Sequence, residues 1–343
     1  MSAKKILVTG GAGFIGSHTA VELFEAGYEV IIIDNLSNSN RKIITQIEKI
    51  TGKHPLFYKL DLCDEKATAD LIRTHTDISG VIHFAALKAV GESVVQPLRY
   101  YRNNLYSLIN LVETCVERPI HFVFSSSCTI YGQPNQLPVT EDAPIKQATS
   151  PYGNTKQIAE EILNETAGVN AHLSCIALRY FNPVGAHPSA LIGELPIGTP
   201  QNLVPYITQT AMGKHKLITV HGNDYPTPDG TCIRDYIHVV DLAKAHVSAL
   251  QALENNPSDK RYRAYNIGTG KGYSVLEVIR TFESTTGIKL NYRIGPRRNG
   301  DIEQIYGAVS KAEKELNWKS SHTLAEMMQS AWEWEKYINR HPF

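Results

Sequence analysis

Tyr152 and Lys156 are four residues apart, a spacing that could support acid–base chemistry. On a helix, residues at this spacing lie on the same face. A tyrosine with its usual pKa of ~10 is a poor base near pH 7, but a cation within ~4–6 Å stabilises the phenolate. The pair could therefore remove a proton from a substrate hydroxyl while a hydride acceptor oxidises the carbon. Taken alone, the motif is also common as a surface pair.

Three serines, Ser125 to Ser127, directly follow an apolar run at residues 122–124 that predicts a strand. A hydroxyl at the carboxyl end of a parallel strand lies in the crevice where such sheets bind ligands. A serine-rich turn that caps a helix is the alternative interpretation. Together with Tyr152 and Lys156, the serines favour a catalytic site at one edge of a sheet.

A glycine-rich turn at residues 9–16 follows the first apolar run and precedes a helical segment. Its glycines match G-x-G-x-x-G, which permits a tight turn, close approach of the backbone to a diphosphate, and close packing of the helix on the strand. Exposed N–H groups at the helix N-terminus would stabilise the anion. A glycine triad also occurs in ordinary strand–helix loops, so its context decides the interpretation.

Two acidic residues at predicted strand ends supply that context. Asp34 ends the second strand, close to the ~20-residue offset expected for the acid that binds the ribose of a dinucleotide. Its carboxylate would accept hydrogen bonds from a 2′-hydroxyl and repel a 2′-phosphate, so we expect NAD and not NADP. Asp61 ends the third strand, where an adenine ring would lie. The alternative role for Asp61 is to cap the helix that starts near Asp64.

The elements that must position these residues alternate along the first half of the chain. Apolar or β-branched runs predict strands at 6–8, 29–33, 57–60, 80–84, 120–124 and 174–178, and helix-length segments lie at 17–26, 41–50, 65–74, 101–117 and 151–166. Nearly continuous apolar strands are typical of a parallel sheet that is buried on both faces. We therefore predict an α/β fold with a Rossmann-type, doubly wound parallel sheet.

The pattern changes after Phe181. Residues 182–232 are rich in Gly and Pro, which is typical of loops that cover a ligand, and regular patterns return as a helix at 239–253, a strand at 265–267 and an amphipathic segment at 323–338. We predict a dinucleotide-binding domain at 1–181, with returns at about 235–264 and 302–314. The remainder of 182–343 would form a smaller mixed α/β substrate-binding lobe.

Composition excludes several classes of protein. The 343 residues are 42% apolar and 20% charged, and 34 basic residues balance 34 acidic ones, which disfavours a nucleic-acid binder. No apolar run approaches the ~18 residues of a membrane span, and the first residues, from Met1 to Lys5, leave no room for a secretory signal. The five cysteines contain no Cys-x-x-Cys pair, so we expect a reduced cytoplasmic protein. No residues have metal-ligand spacing, so no metal is expected.

Four segments make the chain resemble the UDP-glucose 4-epimerases (UDP-galactose 4-epimerases) of the extended short-chain dehydrogenase/reductase family. These segments are residues 83–93, 179–188, 222–227 and 234–239. The similarity extends from Lys5 to about residue 337. The glycine turn and the Tyr-x-x-x-Lys motif mark only the wider superfamily.

The resemblance implies a role for each matching residue. Tyr152 would be the base at the sugar 4′-hydroxyl, Lys156 would lower the tyrosine pKa and hold the ribose, and Ser127 would hydrogen-bond the 4′-oxygen. A tightly retained NAD would carry the hydride through a transient 4-keto sugar. The implied cofactor contacts are Gly10, Gly13, Phe14, Ile15, Gly16, Asp34, Asn35, Asp61, Leu62, Phe84, Ala85, Lys88, Asn103, Tyr152, Lys156 and Phe181. The implied contacts to UDP-glucose or UDP-galactose are Lys88, Ser127, Thr129, Tyr152, Asn182, Asn202, Leu203, His221, Arg234, Arg298 and Asp301.

Arginine pairs with phosphate through bidentate hydrogen bonds, so Arg234 and Arg298 suit a diphosphate. Either could instead form an ordinary ion pair, and the neighbouring Arg297 could replace Arg298. Three positions depart from the family pattern: Cys128 replaces alanine, His221 replaces an aromatic residue near the uracil, and Ile305 matches the position whose size helps decide whether N-acetylated hexoses fit. A buried, unreactive thiol is the expectation for Cys128. Isoleucine at 305 leaves the preference for N-acetylated sugars open.

Two other functions remain as alternatives. A nucleotide-sugar 4,6-dehydratase would need carboxylates beside the active-site threonine, where this chain has Cys128 and Ile130 around Thr129. A non-catalytic NAD-binding regulator would be expected to lack Tyr152 or Lys156. The resemblance also implies a homodimer formed through the helices at 101–117 and 151–166. We expect structural roles for His83, His187 and His238, which lie in the resembling segments.

Overall fold

The computed structural model describes residues 3–255, 260–298 and 301–343. Met1 and Ser2, which belong to the predicted signal-free N-terminus, lie outside the described residues, as do residues 256–259 of the predicted return at 235–264. No described helix combines the length and the apolar character that crossing a membrane requires.

Seven parallel strands form the central sheet. In the described residues the strands are β1 (Lys5–Thr9), β2 (Glu29–Asp34), β3 (Leu56–Lys59), β4 (Ile78–His83), β5 (Ile120–Ser127), β6 (Leu173–Tyr180), β7 (Asn182–Val184), β8 (Ile218–His221), β9 (Ile233–Arg234), β10 (Tyr236–His238), β11 (Tyr262–Ile267), β12 (Tyr273–Ser274), β13 (Tyr292–Gly295) and β14 (Gln304–Ile305). The order of the large sheet is β3-β2-β1-β4-β5-β6-β11. This order changes direction at β1, as in a Rossmann fold, and the predicted α/β class is confirmed.

Helices connect these strands and cover both faces of the sheet. They are α1 (Phe14–Glu25), α2 (Lys42–Thr51), α3 (Glu65–Thr74), α4 (Val90–Val95), α5 (Pro97–Cys115), α6 (Pro151–Val169), α7 (Leu203–Ala211), α8 (Val239–Asn255), α9 (Val275–Thr286), α10 (Ser310–Glu315) and α11 (Leu324–Arg340). Because both faces are covered, β-branched side chains such as Ile6, Val8 and Ile32 are fully buried. The apolar runs of the sequence thus form the core of the sheet.

The serines of β5 lie inside the strand, not beyond it as the sequence predicts. Ser125, Ser126 and Ser127 pair with Leu178, Arg179 and Tyr180 of β6 in parallel register. The strand continues because β6 is equally long and its backbone provides hydrogen-bond partners up to Tyr180. Ser127 therefore occupies the last position of the strand, at the carboxyl edge of the sheet.

The region after Phe181 contributes small sheets and one strand of the large sheet. Strand β7 pairs with β10, β8 with β13, and β9 with both β12 and β14. Strand β11 instead extends the seven-stranded sheet beside β6. A second apolar core, which includes Ile207, Phe282 and Met328, packs α7, α9 and α11 around these small sheets.

Candidate active site

The carboxyl edge of β5 and the first turns of α6 bring together the three predicted catalytic residues. Helix α6 begins at Pro151, after Ser150, whose side chain caps the helix N-terminus. This start places Tyr152 and Lys156 on the face turned toward β5. The Lys156 Nζ donates a hydrogen bond to the Ser125 carbonyl oxygen at 2.6 Å and lies 6.0 Å from the centre of the Tyr152 ring.

Burial controls the electrostatics of this group. It raises the pKa of Tyr152 to about 12, against the effect of a hydrogen bond with Ser127, which lowers it. Burial also lowers the pKa of Lys156 to about 7, while the Glu160 carboxylate acts in the opposite direction. A buried phenol needs nearby positive charge to act as a base. Lys156 supplies one such charge, and the nicotinamide ring of bound NAD⁺ would supply a second.

The backbone of the glycine turn packs so closely against its neighbours that there is no room for side chains at Gly10 and Gly16. Gly10 adopts φ +67°, in the left-handed region, and a Cβ there would lie 2.8 Å from the Ala85 amide nitrogen. A Cβ on Gly16 would lie 2.3 Å from the Gly10 carbonyl oxygen. Helix α1 begins at Phe14 behind Gly13, and no side chain caps it. Its first N–H groups are thus available to a diphosphate, and the turn fits a dinucleotide.

The predicted ribose acid holds the turn in place. The Asp34 carboxylate, at the end of β2, accepts hydrogen bonds from the Ala12 amide at 3.1 Å and the Leu36 amide at 2.9 Å. Asn35 donates to Asp61 at 3.3 Å, so these two predicted contacts also lie together. Asp61 does not cap the following helix. The side chain of Asp64 does, because it accepts from the Ala67 amide.

Four further predicted contacts surround this edge of the sheet. Phe84 and Ala85 follow β4, where their amides bond to Thr9 of β1. Leu62 is buried after β3. Asn103 lies on α5, and its side chain donates to Asn104 at 2.9 Å. Of these residues, Phe84 and Ala85 lie directly against the start of the glycine turn.

Glu194 joins two of the predicted ligand contacts. One of its carboxylate oxygens lies 3.1 Å from the Lys88 Nζ and accepts a hydrogen bond from the Asn202 side chain at 2.7 Å. Its backbone carbonyl accepts from the Trp334 indole at 2.8 Å. Sequence reasoning does not find Glu194, because it lies in the Gly/Pro-rich region and belongs to no motif.

The basic residues of the second region differ in their partners. Arg234 on β9 lies 3.9 Å from the Asp301 carboxylate. Arg297 hydrogen-bonds Asp224 at 2.8 Å, so its guanidinium is already engaged. Arg298 is exposed and forms no ion pair with any residue of the described ranges. In the described ranges, the Arg298 guanidinium is therefore less engaged than that of Arg297.

A buried apolar cluster adjoins both the catalytic group and Arg234, because Cys128 follows Ser127 and Ile305 pairs with Arg234. Cys128, Phe181 and Ile305 belong to one buried cluster. Burial raises the pKa of the Cys128 thiol to about 12, consistent with an unreactive thiol. Thr129, which follows Cys128, keeps a buried hydroxyl that has no hydrogen-bond partner in the described protein. Asn182 starts β7 next to Phe181 and is held by its backbone to Asp235.

The remaining predicted contacts lie at the ends of elements in the second region. Leu203 is the first residue of α7, directly after Asn202. His221 ends β8, and its ring makes a hydrogen bond with the Pro296 carbonyl at 3.2 Å. Neither His221 nor Arg298 forms a side-chain hydrogen bond or ion pair with the other predicted site residues in the described part of the chain.

Three histidines of the resembling segments have structural partners, as the sequence predicts. His83 bonds the Thr9 hydroxyl at 2.8 Å, His187 bonds Ser189, and His238 bonds Ser330. Burial lowers the pKa of His83 to about 3, so its ring is neutral. No group of His, Cys, Asp or Glu side chains within the described ranges could hold a metal ion.

The chain is similar to known proteins over almost its whole length. Residues 7–331 match the family described as GDP-mannose 4,6 dehydratase. The chain is 51% identical to UDP-glucose 4-epimerase of Dictyostelium discoideum, over 96% of this chain and 95% of that protein. It is 50% identical to UDP-glucose 4-epimerase of Bacillus subtilis, over 96% of each chain.

Solved structures give the same result. The fold is similar to UDP-glucose 4-epimerase of Stenotrophomonas maltophila with bound NAD and formylated UDP-arabinopyranose, with a TM-score of 0.94, 47% identity, and coverage of 98% of this chain and 99% of that one. It is also similar to the Bifidobacterium longum enzyme in complex with NAD⁺ and UDP, with a TM-score of 0.91, 47% identity and the same coverage.

Proposed function

Because the chain belongs to the UDP-glucose 4-epimerase family of extended short-chain dehydrogenases/reductases, we propose that Tyr152, Lys156 and Ser127 carry out its reaction. The protein is an isomerase that uses NAD to invert the configuration at C4′ of UDP-hexoses. UDP-glucose and UDP-galactose are the substrates that we assign to it. The observation that carries the residue assignment is the junction of β5 and α6, where the phenol, the ammonium and the hydroxyl meet.

The mechanism begins with binding of the substrate. Arg234 and Arg298 would hold the diphosphate, and Ser127 would hydrogen-bond the 4′-oxygen. Tyr152 then accepts the 4′-hydroxyl proton, helped by the positive charge of Lys156. Bound NAD supplies the acceptor and donor of hydride at C4′. The resulting 4-keto sugar turns in the site, and Tyr152 returns the proton after reduction from the opposite side, so the net oxidation state is unchanged.

The residues around the glycine turn support the assignment of the cofactor contacts. The uncapped N-terminus of α1 suits the diphosphate, and Asp34 lies next to the turn with its carboxylate buried. We expect this carboxylate to favour the ribose 2′-hydroxyl of NAD over the 2′-phosphate of NADP. A protein that copurifies with NAD after desalting would agree with this assignment, whereas a requirement for added NADP would contradict it.

The dehydratase reaction deserves a comparison, because the matching family carries that description. Loss of water from C5′ and C6′ needs an additional acid and base beside C5′. The negative charge of the Asp235 carboxylate raises the pKa of Cys128, so Asp235 is the candidate acid or base near this position. Both of its oxygens already accept hydrogen bonds, one from the Thr269 amide and one from the Gly270 amide. The site therefore supports epimerisation and not dehydration.

Substitution of Tyr152 tests the proposed function. Tyr152→Phe removes the base, and we expect kcat to fall by at least about 10²-fold, with UDP binding largely retained. The matched control is Tyr58→Phe, which removes a hydroxyl that bonds His75 at 2.8 Å and belongs to the edge strand β3. Activity of purified protein with UDP-galactose, followed by NMR of the products, gives the result. Near-normal turnover by Tyr152→Phe would refute the assigned base.

We further propose that the protein is a homodimer. Helices α4 and α5 expose large apolar side chains, among them Val94, Val95, Leu98 and Tyr106. Contiguous exposed apolar side chains mark interaction surfaces, and α5 packs beside α6 to form one face. Sedimentation should show a dimer at micromolar concentration, and Leu98→Glu should dissociate it. A wild-type monomer would contradict the proposal.

The domain division and the location are also proposals. We assign 1–181 to NAD binding, with returns at about 235–264 and 302–314, and the rest of 182–343 to UDP-sugar binding. The position of β11 beside β6 supports the first return. Five free cysteines support a reducing cytoplasmic environment.

A further inference from the structure

A buried carboxylate lies on α6 one turn beyond Lys156. Tyr152, Lys156 and Glu160 are spaced at four-residue intervals, so they share one helical face. Glu160 is 4% exposed. The mechanism described above does not use this residue, and a buried charge of this kind needs partners to be stable.

The partners of Glu160 come from the strands beneath the catalytic group. Arg179 of β6 donates from Nη2 to Glu160 at 2.6 Å and from Nε at 3.0 Å. Ser126 of β5 also donates to the carboxylate, and the Tyr262 hydroxyl of β11 donates at 2.9 Å. Three adjacent strands thus hold a single carboxylate of α6.

Arg179 is itself fixed on its other side. Its Nη1 donates to the Tyr131 hydroxyl and to the Glu141 carbonyl, both at 3.0 Å. In the sheet, Arg179 is paired with Ser126, the neighbour of the proposed catalytic Ser127. The Glu160 carboxylate therefore ties α6, which carries Tyr152 and Lys156, to β6 through Arg179 and to β5 through Ser126.

We propose that Glu160 is a positioning residue for the Tyr152–Lys156 pair: its carboxylate, held by β5, β6 and β11, fixes α6 against the sheet and places a negative charge one helical turn beyond Lys156. This inference rests on the proposed function of Tyr152 and Lys156. Glu160 acts through these two residues and does not itself touch the substrate.

The Glu160 charge raises the pKa of Lys156, and the Arg179 guanidinium that pairs with Glu160 is the second charged group at this position. The titratable groups that face the pair from the packed elements are His83 (β4), Cys128 and Tyr131 (after β5), Cys175 and Tyr180 (β6), and Tyr262 (β11). Burial lowers the pKa of His83 and raises the pKa values of these thiols and phenols, so all six are uncharged near neutral pH. On the two helices packed against α6, Glu92 of α4 is paired with Arg99, and Tyr101 of α5 bonds Asn154.

The charge of Glu160 matters because burial alone favours neutral Lys156. Burial lowers the pKa of Lys156 to about 7, and Glu160 raises it. Without the carboxylate, Lys156 would lose its proton near neutral pH and would no longer stabilise the Tyr152 phenolate. The pKa of Tyr152 would rise, and the acidic limb of the pH dependence of kcat would move to higher pH.

The test compares variants of the complete protein. In Glu160→Gln, the acidic limb of kcat should move upward by about 1 unit or more, because a neutral Lys156 no longer stabilises the Tyr152 phenolate. Glu160→Asp keeps the charge and should restore the wild-type limb. Glu335→Gln is the matched control. It removes a buried carboxylate on α11 that pairs with Lys214 at 2.7 Å. It should leave the limb in place.

A double variant separates charge from folding. Replacing a buried ion pair by apolar residues is often neutral or stabilising, so Glu160→Met with Arg179→Met should recover much of the stability that Glu160→Gln loses. If the carboxylate supports Lys156, the acidic limb stays displaced in the double variant. A limb that returns to its wild-type position, or that never moves in Glu160→Gln, overturns the proposal.

Tyr152→Phe distinguishes failure of the positioning proposal for Glu160 from failure of the proposed function. If Tyr152→Phe is inactive and Glu160→Gln has the wild-type pH dependence, Glu160 is not a positioning residue and the proposed function stands. If Tyr152→Phe keeps its activity, the assigned base is wrong, and the positioning proposal falls with it.

Discussion

Gly16→Ala is the sharpest single test of the dinucleotide site. Alanine has a higher helix propensity than glycine by ~1 kcal/mol, and Gly16 lies in the first turn of α1. Local propensity therefore favours the substitution. The contacts oppose it, because the new Cβ would lie 2.3 Å from the Gly10 carbonyl oxygen and 2.8 Å from the Gly11 Cα, both backbone atoms.

The size of the effect follows from these distances. An ordinary contact begins at 3.4 Å, so α1 and the turn would have to separate by about 1 Å. Such a shift moves the first N–H groups of α1 away from the diphosphate. Hydrogen bonds to charged groups contribute ~1.5–3 kcal/mol each. The loss of two of them costs ~3–6 kcal/mol, which weakens NAD binding by ~10²- to 10⁴-fold.

The assay is the NAD content of the purified, desalted protein, followed by titration of the apoprotein with NAD. Gly168→Ala is the matched control, since Gly168 lies on α6 and a Cβ there meets nothing within 4 Å. It should keep its NAD and be slightly more stable. If Gly16→Ala retains one NAD per chain and wild-type turnover, the assignment of the turn to the diphosphate is refuted.

Two further predictions concern the second region and the folded state. Arg298→Gln should weaken UDP binding by about tenfold or more, as measured by calorimetry. Arg297→Gln, which breaks the contact to Asp224, should have little effect on UDP binding. Equal losses of UDP affinity in the two variants would contradict the assignment. Burial lowers the pKa of His83 to about 3 and of His246 to about 4, while the unfolded chain takes up these protons near pH 6.5. The free energy of unfolding should therefore fall between pH 7 and pH 5, by roughly 2 kcal/mol per histidine; equal denaturation midpoints at the two pH values would contradict this.

The sheet could be predicted from the sequence because its signal is local. Each apolar run that predicts a strand in the first half of the chain corresponds to a strand of the large sheet, and the serine run is wrong only in its boundary. Ser125 to Ser127 are polar, so no hydrophobic pattern extends the strand over them. Their place in β5 depends on pairing with β6, whose backbone is more than forty residues away in sequence.

The site could be predicted only where residue types form a motif. Tyr152, Lys156 and the glycine turn have fixed spacings that reflect one helix or one turn. Glu194 and Arg179 act through contacts between elements that are distant in sequence, and no local spacing marks them. Glu160 is an exception, because it continues the four-residue spacing of Tyr152 and Lys156 on one helical face.

If Tyr152 and Ser127 act at C4′ as proposed, the distribution of polar groups would let a sugar turn while its nucleotide stays bound. Ser127 and Tyr152 are fixed at the edge of the sheet, whereas Arg234 lies on β9 in the second region. Cys128, which follows Ser127, and Ile305, which pairs with Arg234, belong together with Phe181 to one buried apolar cluster. A ring held by many hydrogen bonds could present only one face of C4′ to the nicotinamide. A ring held mainly through its diphosphate can present both faces, as inversion requires.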